Sequence, residues 1–234
     1  MSPHIVSAFD EDLRAITARI AEMGGLAEEL LTTALEAVET RDSDMAEQVI
    51  LRDKRLDRLE HEVDDLCVRV IALRQPMAQD LRLVVAALKM STVLERIGDL
   101  SKNIAKRSKA LAQAQRINLS GSVVRMGQQT LRLLNEVLDA FSSRDVALAV
   151  SVWRRDIEID EFYNSLFREL VTYMMEEPRI IGLGSQLLFI AKNLERIGDH
   201  TTHIAELVYW IVEGEPLGDD RPKGAPVSMD GILG

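Results

Sequence analysis
Two carboxylates four residues apart on a helix stand one turn above each other on the same face. The 234-residue chain carries four such pairs in a recurring pattern. Glu95 and Asp99 belong to the run LERIGD at 94–99, and Glu195 and Asp199 belong to the same six residues at 194–199. Asp53 and Asp57 lie in RDKRLD, and Asp156 and Asp160 lie in RRDIEID. If Asp53 and Asp57 face Glu95 and Asp99, and Asp156 and Asp160 face Glu195 and Asp199, each half of the chain gathers four carboxylates. Such a cluster repels itself unless a cation neutralises it or its pKa values rise. Hard oxygen donors suit Mg²⁺, Mn²⁺, Ca²⁺ or iron, with zinc as a further candidate. Asn103 and His203 occupy the next turn on the same lines and are candidate additional ligands. The competing reading is that the pairs are salt-bridged or solvated helix faces, retained through common descent.

The elements that must position these residues are helices. Apolar or small residues recur in steps of four and three from Phe9 through Leu13, Ile16, Ile20 and Met23 to Ala37, the seam of a packed helix. TRDSD, from Thr40, supplies turn and N-cap chemistry. A second stripe runs from Met45 and Val49 through Leu56, Leu59, Val63, Leu66 and Val70 to Leu73 and ends before Pro76, which cannot continue a helix interior. Asp53 and Asp57 are expected on the flank of this seam. A third helix is expected from near Ala78 to about Gln113.

The plan then repeats. A shift of 103 superposes Met23-Gly24 on Met126-Gly127, Arg41-Asp42 on Arg144-Asp145 and Asp53 on Asp156, and the shift falls to 100 at the LERIGD pair. The expected fold is therefore all-α, with two tandem, similar antiparallel three-helix bundles spanning 5–114 and 118–213. The Gly- and Pro-rich segment 214–234 is expected to be disordered.

Composition narrows the function. The content is 47% hydrophobic and 28% charged, ordinary for a globular protein, and the net charge of −10 argues against a grip on nucleic acid phosphates. Cys67 is the one cysteine, so no intrachain disulfide forms, and a reducing cytoplasm fits. No signal peptide and no membrane span is expected. His61 and His200 read as surface histidines. GLGS at 182–185 reads as the opening of the sixth helix, since it lacks a phosphate-loop lysine. The basic run Lys102, Lys106, Arg107 and Lys109 reads as a helix end complementing the dipole, and Cys67 reads as core. No His has a Glu three residues before it, against a di-iron bundle enzyme, and no nucleophile–base arrangement is suggested. No catalytic residue and no enzymatic activity is expected.

QPMAQDLRLVVAALKMSTVLERIGDLSKNIAKR at 75–107 and LERIGDHTTHIAEL at 194–207, within the tandem three-helix plan, resemble the PhoU family of bacterial phosphate-transport and phosphate-signalling proteins. The resemblance implies two similar three-helix bundles side by side. It also implies metal ions (Mg, Mn, Fe or Zn) at Asp53, Asp57, Glu95 and Asp99 and at Asp156, Asp160, Glu195 and Asp199. It implies a cytoplasmic homodimer that associates with the phosphate ABC transporter on its ATPase side and with the phosphate sensor histidine kinase. Such a protein restrains signalling of the phosphate regulon and meets the membrane only through partners. The family run after the motif departs in opposite ways here. Leu100 replaces a common His while Asn103 is kept, and His200 is kept while His203 replaces Asn, so the two sites are expected to differ.

Overall fold
The chain folds into six long helices in a computed structural model that describes residues 3–112 and 119–218. They are α1 (Pro3–Thr40), α2 (Ser43–Arg74), α3 (Ala78–Ala112), α4 (Ser120–Ser143), α5 (Val146–Glu176) and α6 (Ile181–Glu213), with a 3₁₀ turn at Pro178–Ile180. The seam of α1 is buried as its periodicity requires, with Ile16, Ile20, Met23, Ala27 and Leu30 in the core and Phe9 and Leu13 packed at its edge. Cys67 is core. Gly182 and Gly184 lie in the opening turns of α6.

The first interhelix turn of each half is built alike. Arg41 and Arg144 take left-handed dihedrals, with φ of 63° and 58°. Asp42 then caps α2, its Oδ1 accepting from the amides of Asp44 (2.8 Å) and Met45 (3.1 Å). Asp145 caps α5 by accepting from the amide of Leu148 at 2.9 Å. These bonds satisfy amide donors that the helix itself leaves open. The second turn differs: α2 closes with Gln75 left-handed ahead of Pro76, whereas Pro178 opens the 3₁₀ turn before α6. This is where the offset between the halves drifts.

Within each half the three helices pack on one another, and the halves meet where α3 packs on α6 and α1 on α4. The α1–α4 seam is reciprocal. A Cβ on Gly24 would stand 2.6 Å from Cδ2 of Leu138, and a Cβ on Gly127 would collide with Leu35. The shift of 103 that relates Gly24 to Gly127 also relates Leu35 to Leu138. Each half thus seats the same leucine in the same glycine notch of the other, the pattern of a two-fold interface.

Two expectations about α2 are corrected. Leu73 is 70% exposed, because the core line runs Val63, Cys67, Val70 and then Arg74, whose guanidinium pairs with Asp12 at 3.0 Å. A 100° step per residue puts Leu73 off that line. Asp53 is not on the flank of the seam but in it, between Val49 and Leu56, and only 2% exposed. Of the segment expected to be disordered, 214–218 are described and Leu217 packs against the core, while 219–234 lie outside the described residues.

Candidate metal centre
The acidic pairs lie where α2 meets α3 and where α5 meets α6. Burying a carboxylate in a helix seam is costly unless space and partners are provided, and the glycine of LERIGD provides the space. A Cβ on Gly98 would stand 3.2 Å from Oδ1 of Asp53 and would collide with Leu56. A Cβ on Gly198 would stand 2.6 Å from Oδ1 of Asp156. Asp156, like Asp53, is buried, and Asp57 and Asp160 lie at the half-buried edge one turn on. The role of the two glycines is legible only in hindsight: a helix-interior Gly costs about 1 kcal/mol relative to Ala, and this chain places one at matching positions in both halves.

The carboxylates are close enough to perturb one another. Glu95, its side chain 16% exposed, is pushed up to about 7 by burial first and then by the charges of Asp99, Glu60 and Asp57, against the pull of Arg96. Glu195 is raised in the same way, by burial, with Asp199 and Asp160 adding to it and the bond to Lys192 opposing. Asp53 is also raised by burial, opposed by Lys102.

Lys102 is the residue that sequence reasoning misplaced. It does not serve the end of α3. Its ammonium donates to Asp99 Oδ1 at 2.5 Å, within its own helix, and to Asp53 across on α2. Burial alone would pull the Lys102 pKa down, but its two carboxylate partners push it above its usual range. Farther along α3, Lys109 pairs with Glu47 on α2 at 2.6 Å, and Arg107 lies over the Phe189 ring and donates to Gln186. The signal available in the sequence was the Asp99–Lys102 spacing of three, which puts both on one face; the bond to Asp53 leaves no sequence trace.

In the second half, Thr202 takes the place of Lys102 under the shift of 100. It is buried, and its hydroxyl donates to the backbone carbonyl of Asp199 at 2.7 Å. A different lysine, Lys192, comes from the turn before Glu195, bonds to it at 2.7 Å and lies over the Tyr163 ring, 47% exposed.

The additional ligands are not drawn in. Asn103 and His203 are exposed, and His203 lines a cavity of about 590 Å³ with Lys89, Glu206, Leu207, Trp210 and Leu217. Each step of four residues advances 40° around a helix, so two steps from Glu195 carry His203 well away from the first carboxylate. His61 is exposed as expected, but His200 is half-buried and its pKa is lowered by burial and by Arg196. Among the described residues, no three or more His, Cys, Asp and Glu side chains converge tightly enough to hold a metal ion as they stand. The donors of both halves fit a hard cation in kind: carboxylates, Asp53 and Asp156 buried and the others half-buried, with Glu95 and Glu195 each raised by burial and then by acidic neighbours. In the first half a cation is already present, as the Lys102 ammonium.

The match to the PhoU domain covers residues 20–108 and 123–208. The chain belongs to the PhoU family. The two PhoU segments begin 103 residues apart and end 100 apart, the same drift read from the repeat itself. A relative from Caulobacter vibrioides, named a phosphate-specific transport system accessory protein PhoU homolog, is 48% identical over 224 residues, 95% of this chain and 97% of that protein. The Escherichia coli K12 phosphate-specific transport system accessory protein PhoU is 39% identical over 227 residues, 95% of this chain and 94% of that one. Among solved structures, PhoU from Pseudomonas aeruginosa aligns with a TM-score of 0.86 at 39% identity, covering 88% of this chain and 100% of that chain. The phosphate transport system regulatory protein PhoU from Streptococcus pneumoniae aligns at 0.82 and 30% identity, covering 90% and 99%. The all-α, twice-repeated architecture is that of PhoU. No described helix is long and apolar enough to cross a membrane.

Proposed function
We propose that the chain is an accessory protein of a phosphate-specific transport system that restrains phosphate uptake and keeps phosphate-regulon signalling low when phosphate is ample. The observation that carries this reading is the 48% identity to a protein of that name over 95% of the chain. The protein acts in the cytoplasm as a homodimer. It contacts the phosphate ABC transporter on its ATPase side and the phosphate sensor histidine kinase, and it meets the membrane only through them. It is not an enzyme; its output is a docking surface whose shape depends on how its helices are held together.

Divalent or iron ions at the acidic pairs are part of this reading. Asp53, Asp57, Glu95 and Asp99, and Asp156, Asp160, Glu195 and Asp199, are the residues that would hold them. Bound metal supplies positive charge between helices that otherwise repel at these carboxylates. The raised pKa values of Glu95 and Glu195 support it, since a site that disfavours its own ionised form gains from a cation. A metal-free helical adaptor is the second reading, favoured by the lysine already bound in the first cluster. Mn²⁺ titration of chelator-treated protein separates the two. For the regulatory role the test is deletion of the gene, which is expected to make the phosphate-starvation response constitutive. Phosphate-replete cells that lack the gene and still keep that response off would end the reading.

A further inference from the structure
We propose that two cation–ring pairs, Lys89 with Trp210 and Arg107 with Phe189, decide which repeat packs on which, so that the first repeat accepts the second and rejects the first repeat of another copy. A duplicated chain faces this choice because its repeats have like shapes, and swapping between copies is a characteristic misassembly of repeat proteins. The α1–α4 seam does not make the choice. Gly24 and Leu35 both belong to the first repeat, and Gly127 and Leu138 both belong to the second. Each repeat therefore carries a notch and the leucine that fills it. Two first repeats would close that seam as well as a first and a second do.

The α3–α6 seam is not self-complementary in this way. Among the described residues, two cation–ring pairs cross it. The Lys89 ammonium stands 5.5 Å from the centre of the Trp210 ring, and the Arg107 guanidinium 4.2 Å from that of Phe189. Both cations lie on α3 and both rings on α6. The shift of 100 relates Lys89 to Phe189, Arg107 to Leu207 and Ala110 to Trp210. Laying α3 on the α3 of a second copy in the same register puts Lys89 where Phe189 was, against Arg107, and Ala110 where Trp210 was, against Lys89. Each end of that seam would lose a cation–ring attraction and gain a contact of like charges. Laying α6 on α6 brings together only apolar side chains, Phe189 against Leu207 and Trp210. The rejection therefore lies on α3 alone. It suffices, because a closed swapped pair of copies that joins its second repeats must also join its first. Specificity of this kind combines attraction to the right partner with a penalty against the wrong one.

The experiment uses the full chain, with circular dichroism as the check on folding. Phe189→Arg faces Arg107 with a second guanidinium and is expected to lower the thermal transition by about 2–4 °C relative to Phe189→Met. Adding Arg107→Phe exchanges the ring and the cation and is expected to restore it. A double variant no more stable than Phe189→Arg overturns the proposal. The choice of partner is read by refolding from urea at rising protein concentration, with the mass measured by light scattering. Lys89→Phe with Arg107→Leu gives α3 the residues of α6. It is expected to add a species of twice the parent's mass, in a share that grows with concentration. Lys89→Met with Arg107→Met removes the charges and adds no ring, and is expected to do the same to a lesser degree. Lys106→Phe with Lys109→Leu makes the same change in charge and apolar surface at exposed residues of α3 outside these pairs. It is expected to keep the parent's mass. Refolding of both 89/107 variants to the parent's mass alone overturns the proposal. So does an equal rise in the 106/109 control, which would trace the association to added apolar surface.

Discussion
At the scale of single residues, Glu95 links the acidic cluster to stability. Its carboxyl titrates at about 7 in the folded chain against an ordinary 4.5. The folded state therefore holds this proton more tightly than the unfolded chain does. Its contribution favours folding below about 4.5 and declines as pH rises toward about 7, beyond which the whole penalty of the ionised form is in place. Lys102 does not set the slope in this window, because it stays charged throughout. For metal-free protein, Glu95→Gln is expected to flatten the pH dependence of the melting temperature across that range. Above it, the variant should be more stable than the parent by about 1 kcal/mol after solvent screening, or about 2–4 °C for a chain of this size. Thermal unfolding across the pH series checks this. A variant with the parent's slope would place the titrating group elsewhere.

At the scale of elements, the long helices depend on their starts as much as on their seams. Asp42 and Asp145 occupy matching turns, follow matching left-handed arginines and accept the first open amides of α2 and α5. Both helices carry a buried aspartate about one-third of the way along. Asp42→Ala and Asp145→Ala are each expected to cost about 1 kcal/mol, read in urea unfolding as a lower midpoint at an unchanged denaturant slope. A much larger loss for one of them would mean that its turn is stabilised by contacts other than the cap. The turns that close α2 and α5 show how little local sequence is needed to make the halves diverge: Gln75 ahead of Pro76 in one, a 3₁₀ turn in the other.

At the scale of the whole molecule, the two repeats are joined as two copies of one unit would be. Leu138 fills the notch at Gly24, and Leu35 fills the notch at Gly127. Because each contact couples the halves, Gly24→Ala and Gly127→Ala are expected to destabilise the whole chain by about 0–2 kcal/mol each, the ~1–3 kcal/mol of overpacking a core less the ~1 kcal/mol that Ala gains over Gly inside a helix. Chemical denaturation should show a single transition shifted as a unit. Two separated transitions in either variant would show that the halves unfold independently and that the seam contributes little. The same coupling gives the second acidic cluster a route to the rest of the molecule, since α6 packs on α3 as well as on α4 and α5.

The sequence by itself determined what depends on local periodicity. Stripes in steps of three and four specify helices, Asp before a run specifies a cap, and Pro76 specifies a stop. A repeat at a spacing of 103 residues specifies that whatever the first half builds, the second builds too. It also placed four acidic pairs at matching turns. Tertiary structure decided everything that depends on the rotation and separation of neighbouring helices. Asp53 lies in the seam rather than on its flank because Gly98 lets α3 come close enough to cover it. His203 faces another groove because the 40° advance of each four-residue step turns it away. Lys102 bonds to an aspartate 49 residues back in the chain, and Thr202 stands where its counterpart would be. A charge pair between helices is set by the distance across the gap, and no pattern along either helix encodes that distance.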